Sequence, residues 1–128
     1  MMTVQEKATA VNEHIAQTTS TGDWYRHSFS GMIYTDGVLF VAETCGAHWL
    51  IDLIASHQRK PKLKRNPFQV WQLTKEKDGS FAARCWDDTP GESNRLVTQK
   101  IPFSDFPETL LPFTLWLESG TLLLPVEH

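Results

Sequence analysis

Three residue types able to drive covalent chemistry fall close together at Cys45, His48 and Asp52. Spacings of three and four residues bring side chains onto one face of a helix. A thiol, an imidazole and a carboxylate are the parts of a nucleophile, its base and the acid that orients it. A triad drawn from a single helix has poor reach, however, because its members project in parallel. Cysteine hydrolases take Cys and His from separate elements. The simpler reading is a buried Cys45 and a surface pair of His48 with Asp52, and no catalytic residue is assigned. A wider polar set of His27, Asp36, His48 and Asp52 carries the alternative that the chain is an enzyme of unrecognised type.

Other chemistry finds less support. Cys45, His48, Cys85 and Asp87 could bind a metal, but the tight paired spacing of structural zinc ligands is missing. Asp87 and Asp88 are adjacent, so on a strand they point to opposite faces. Both suit a turn better. Neither a GxGxxG nor a Walker pattern is present. The sequence therefore predicts no metal and no cofactor.

Two surfaces could bind partners instead. Trp24, Tyr25, Arg26 and His27 combine aromatic and cationic side chains of the kind enriched at binding hot spots. The simpler reading is that Trp24 and Tyr25 cap the open end of a core. Arg59, Lys60, Lys62, Lys64 and Arg65 form a purely basic island that could contact phosphates. The alternative is that these cations complement a helix C-terminus and solvate a loop. Two basic and six acidic residues precede the island, and five basic and nine acidic residues follow it. The chain thus runs −4, +5, −4, and the flanks oppose binding of a polyanion.

The elements that must position these residues are readable from period. Thr3 and Glu6 match a capping box, and Val4, Ala8, Val11 and Ile15 form one apolar stripe, so a helix is expected from about Val4 to Gln17. Thr18 to Gly22 reads as a polar linker, which leaves that helix loosely docked. A weak strand follows at about Met32 to Tyr34. Val38, Val41, Ala42, Cys45, Trp49, Leu53 and Ser56 keep the 3.6-residue period. They predict a continuous central helix over 36–58, N-capped by Asp36 and stopped by Pro61, with Trp49 as a buried anchor.

Beyond Pro67, short strands are expected at Phe68–Thr74, Phe81–Asp87, Leu96–Phe103, Phe113–Glu118 and Thr121–Leu124. Lys75 to Gly79 and Ser119-Gly120 serve as turns. Pro102 places the third of these strands at an edge or a bulge. Trp116 opposite Leu115 and Leu117 suggests a last hairpin covered on both faces, one cover being a second subunit. Helices first and strands after them predict an α+β domain. Its central helix would lie across an antiparallel meander sheet of four to five strands, with an additional N-terminal helix.

The chain of 128 residues suits a single domain with its own core. Its net charge of −3 is too small to direct it to a polyanion or a membrane. No apolar run reaches the roughly 18 residues of a membrane span, and the N-terminus lacks the layout of a signal peptide. Two cysteines are too few for a disulfide framework. A cytoplasmic setting is expected.

Several short motifs occur in order: Asp23-Trp24-Tyr25-Arg26-His27, Tyr34-Thr35-Asp36-Gly37, Gly46-Ala47-His48-Trp49-Leu50, Phe68-Gln69-Val70-Trp71, Phe103-Ser104-Asp105-Phe106-Pro107 and Leu122-Leu123-Leu124-Pro125. Over roughly residues 20–128 the set resembles a family of small bacterial proteins that is a domain of unknown function. The resemblance implies a phage, plasmid or other mobile-element setting and no activity. This chain departs from the family pattern at His48, where Tyr is usual. It also departs after Cys85, where Trp86 precedes Asp87-Asp88 and no Asp-Asp-Gly-Asn-Gly run follows. The expected function is a non-catalytic protein-interaction or regulatory module, with another protein as partner and homodimerisation open. A nucleic-acid-associated accessory protein using the basic segment 59–65 is the first alternative.

Overall fold

The computed structural model describes residues 2–17, 23–28 and 30–127. Among them, four helices and a seven-stranded mixed sheet form an α+β fold. The expected linker at 18–22 lies outside the described residues.

Helix α1, Val4–Gln17, starts with the predicted capping box. The Glu6 amide donates to Thr3 Oγ1 at 3.1 Å, and the Thr3 amide donates to Glu6 Oε1 at 3.0 Å. Ala8 and Val11 are buried, while Val4 is exposed. His14 stacks on Phe40 with ring centroids 4.3 Å apart, which seats α1 against the next helix.

The continuous central helix over 36–58 is corrected to two helices, α2 at Asp36–Cys45 and α3 at His48–His57. Gly46 sits at φ 62°, a left-handed state that costs glycine little, and its amide turns back to Ala42 O. The N-cap is also corrected. It is Thr35, whose Oγ1 accepts from the Val38 amide at 3.2 Å, while Asp36 is the first helical residue. Trp49 packs against the core but is only partly buried, because the break rotates the start of α3 outward. Pro61 does not merely stop a helix. It opens a short one, α4 at Pro61–Lys64, since a missing amide is harmless at a first helical position.

The sheet is larger than the expected meander of four to five strands. Its strands are β1 Trp24–Arg26, β2 Ile33–Thr35, β3 Phe68–Lys75, β4 Phe81–Trp86, β5 Arg95–Ile101, β6 Phe113–Glu118 and β7 Thr121–Leu123. Their order is β1-β2-β7-β6-β3-β4-β5. The five strands after Pro67 pair antiparallel as predicted, but the expected meander is corrected: β6 does not continue beside β5 and pairs with β3 instead, which places β3 at the middle of the five. The β1–β2 hairpin then joins through a parallel seam, with Ile33 opposite Thr121 and Tyr34 opposite Leu122. The strand before Pro102 is an edge, as expected. Phe103 falls beyond it and is exposed.

Alternation sorts the sheet into two faces. Trp71, Leu73, Cys85, Leu115, Leu117 and Leu122 pack with Val38, Val41, Ala42, Leu50, Ile51 and Ile54 in one cluster. The other face carries a row of paired residues, Trp86–Val70–Trp116–Leu123, across β4, β3, β6 and β7. None of these four residues belongs to the core cluster that holds the helices. Phe68 meets Trp116 edge-on at 5.7 Å, and Trp86 Nε1 donates to Gly91 O at 2.6 Å in the loop after β4. The second face is thus shielded by its own aromatics and a folded-back loop.

Candidate functional site

The aromatic and cationic cluster lies on β1, an outer strand of the sheet. Trp24 is 70% exposed and Tyr25 36%. Trp24 therefore does not plug the core. Tyr25 stacks on Tyr34 at 5.8 Å, a cross-strand contact of the kind that stabilises sheets. The edge is polarised. Asp36 N donates to Asp23 O, and His27 N donates to Met32 O, so Asp23, Tyr25 and His27 spend their backbone groups on β2. By alternation, the backbone groups of Trp24 and Arg26 face away from the sheet.

Side chains alternate as well. His27 turns toward the helices, where its Nε2 meets Asp52 Oδ1 of α3 at 2.8 Å. The loop from His27 to Met32 is closed by Gly31 N donating to His27 O at 3.1 Å, and Gly31 takes φ 75°. This loop folds Ser30 back on the imidazole. Ser30 Oγ is 2.8 Å from His27 Nδ1, and the Ser30 amide donates to the same nitrogen at 3.3 Å.

The amide favours one tautomer. A backbone N–H can only donate, which favours the tautomer with the lone pair on Nδ1 and the proton on Nε2. Nε2–H then donates to Asp52, and the Ser30 hydroxyl donates to Nδ1. Ser30 Oγ in turn accepts from the Met32 amide at 3.1 Å. Ser30, His27, Asp52, Ala55, Ser56 and Arg59 line a cleft of about 420 Å³. A neighbouring cleft of about 260 Å³ shares Ser30 and continues past Gly31 to Gln58 and Asn66.

The wall behind the second cleft is a buried amide network. Gln58 and Gln69 exchange two hydrogen bonds of 2.9 Å each. Gln69 also donates to Leu63 O and Asn66 O, and its Oε1 accepts from Trp71 Nε1 at 2.9 Å. This network ties α3, α4 and β3 together and fixes the path of the basic segment. Arg59, Lys60, Lys62, Lys64 and Arg65 are all exposed. None forms an ion pair with another described residue. The segment is not simply a solvated loop, since Leu63 is buried and pins one helical turn at Pro61–Lys64.

The Cys45, His48 and Asp52 constellation is not assembled. Cys45 is buried, its thiol pushed up from 9.0 to about 11 chiefly by burial. His48 is exposed, and the surface pair of His48 with Asp52 is corrected, because Asp52 reaches His27. Of the wider polar set, His27 and Asp52 meet, whereas Asp36 sits at the start of α2. Asp87 accepts from Asn94 Nδ2 at 3.0 Å within its loop. Among the described residues no three His, Cys, Asp or Glu side chains converge as metal ligands. No described helix is long and apolar enough to cross a membrane.

Ser30 escaped the sequence reading. Its signal is slight: a Ser-Gly pair three and four residues after a histidine, in a stretch too short to show a period. No curated protein and no solved structure matches the chain. The profile of a family of unknown function, DUF6876, does match residues 9–128, nearly the whole chain, and the protein belongs to that family.

Proposed function

We propose that the protein is a small interaction module that engages another protein through the outer edge of β1. The observation carrying this reading is the exposure of Trp24, 70%, on a strand whose outward backbone groups belong to Trp24 and Arg26. An exposed tryptophan with an arginine two residues on has the composition of a binding hot spot. An extended segment of a partner can add to such an edge by backbone pairing. A second copy of the chain, the mobile-element setting and a cytoplasmic location belong to the same proposal.

The test is capture with immobilised protein, using the wild type and the Trp24→Ala and Arg26→Ala variants, after nuclease treatment. Trp24 is exposed, so the variants should melt with the wild type while capture falls. Equal capture by all three proteins would sink the reading. A second reading rests on the five exposed cations of segment 59–65, which suit a nucleic-acid backbone. Binding of single- or double-stranded oligonucleotide that weakens steeply with salt and is lost on charge reversal of these five residues would favour it.

A further inference from the structure

The hydrogen-bond chain at the cleft supports more than docking. We propose that Ser30 is an activated nucleophile, with His27 as its general base and Asp52 as the group that orients and charges the imidazole, acting on small carboxylic esters that carry an anionic group. The inference goes beyond the binding reading and does not depend on it.

Three observations carry it. First, the residues come from two separate elements, the loop after β1 and the middle of α3. A hydroxyl and a carboxylate therefore approach the imidazole from its two nitrogens, at 2.8 Å each. This arrangement lets a base take a proton from one side while its positive charge is held on the other. Second, the Ser30 amide lies 3.3 Å from Nδ1 and favours an accepting Nδ1, which is the tautomer a base for Ser30 needs. The Met32 amide donating to Ser30 Oγ favours negative charge growing on that oxygen. Third, the chain lines a cleft of about 420 Å³, a size suited to a small ligand. Arg59 lines the same cleft and supplies a cation for an anionic substrate group.

The steps balance with water as the second reactant. Ser30 Oγ attacks the ester carbonyl as its proton passes to His27 Nδ1, and Asp52 holds the imidazolium through Nε2–H. The carbon–oxygen bond to the alcohol breaks, and the alcohol leaves with the proton from Nδ1, giving acyl-Ser30. Water then attacks the acyl carbon and yields a proton to Nδ1. The acid departs, and that proton returns to Ser30 Oγ. One ester and one water become one acid and one alcohol. Esters are the fitting class because their alcohols leave more readily than amines.

The test uses a fluorophosphonate, which transfers phosphorus to an activated serine with loss of fluoride. The native protein should be labelled at Ser30, located by peptide mass spectrometry, about 100-fold faster than the urea-unfolded chain. Ser30→Ala should abolish labelling. Asp52→Asn, which keeps the side chain's shape at an exposed position, should slow it about tenfold with unchanged circular dichroism. p-Nitrophenyl succinate, an anionic ester, should be hydrolysed faster than p-nitrophenyl acetate, with the preference lost in Arg59→Ala. Native labelling no faster than that of the unfolded chain, labelling confined to other hydroxyls, or an Asp52→Asn rate equal to wild type each overturns the proposal. Partner capture is a separate readout, so the two readings can fail independently.

Discussion

Glu127 occupies the space that a side chain on Gly37 would need: a Cβ built on Gly37 stands 2.7 Å from the Glu127 carboxylate. That carboxylate accepts from Thr35 Oγ1 at 2.7 Å and from the Leu124 amide at 2.9 Å. The first turn of α2 is thereby tied to the segment after β7.

This contact predicts a change of sign. In a helix, Gly37→Ala alone gains about 1 kcal/mol of propensity. Here it displaces a carboxylate from hydrogen bonds worth about 1.5–3 kcal/mol each. If both bonds are lost, net destabilisation of about 2–5 kcal/mol is expected in urea melts. In a Glu127→Ala background the same substitution should stabilise by up to about 1 kcal/mol. Equal effects in both backgrounds would show that the two residues are uncoupled.

The amide network behind the clefts is a second point of weakness. Gln69→Leu fills a similar volume but leaves Trp71 Nε1, Leu63 O and the Gln58 amide without their partner. A loss of about 2–4 kcal/mol is expected from these unsatisfied groups. Denaturant unfolding measures it, and a loss under about 1 kcal/mol would mean that water replaces Gln69.

The environments of Trp71 and Trp49 should separate cleanly. Trp71 is 2% exposed, and Trp71→Ala should cost about 3–5 kcal/mol. Trp49 is only partly buried, so Trp49→Ala should cost about half as much or less. Thermal melts of the two variants check the order, and a reversed order would contradict the break between α2 and α3.

Both thiols should be silent in the native state. Burial raises Cys45 to about 11 and Cys85 to about 12 from an ordinary 9.0. At pH 8, roughly one thiol in a thousand or fewer is ionised, so Ellman's reagent should react only as the chain unfolds. The sign for stability follows from linkage. Above pH 9 the unfolded thiols lose protons that the folded ones keep, so the unfolded state is favoured and stability falls as pH rises. A rapid stoichiometric reaction of either cysteine at pH 8 without unfolding would overturn the assignment.

The strands after Pro67 were legible because their alternation is local and each is long enough to show it. The break at Gly46 was not. Cys45, Trp49 and Leu53 keep helical spacing straight through it, and only the left-handed backbone of Gly46 reveals the turn. Strands β1 and β2 are three residues each, too short for a period, and their sheet partner is near the far end of the sequence. The site divides the same way. Trp24, Arg26 and the cations of 59–65 could be named by type. The joining of His27 to Asp52 is tertiary, and Ser30 enters only because a tight loop bends it onto the imidazole.

The parallel seam between β2 and β7 also sets the timetable of synthesis. The β1–β2 hairpin leaves the ribosome well before β7, but an isolated two-stranded hairpin has little stability of its own. Its neighbour in the sheet is Thr121–Leu123, among the last of the described residues to be made. Until that strand emerges, the nascent chain holds Trp24 and Tyr25 in an unfinished sheet, and closure over so long a loop is slow. A translational stall upstream of residue 121 would therefore leave the proposed binding edge and the Ser30 loop without the scaffold that shapes them.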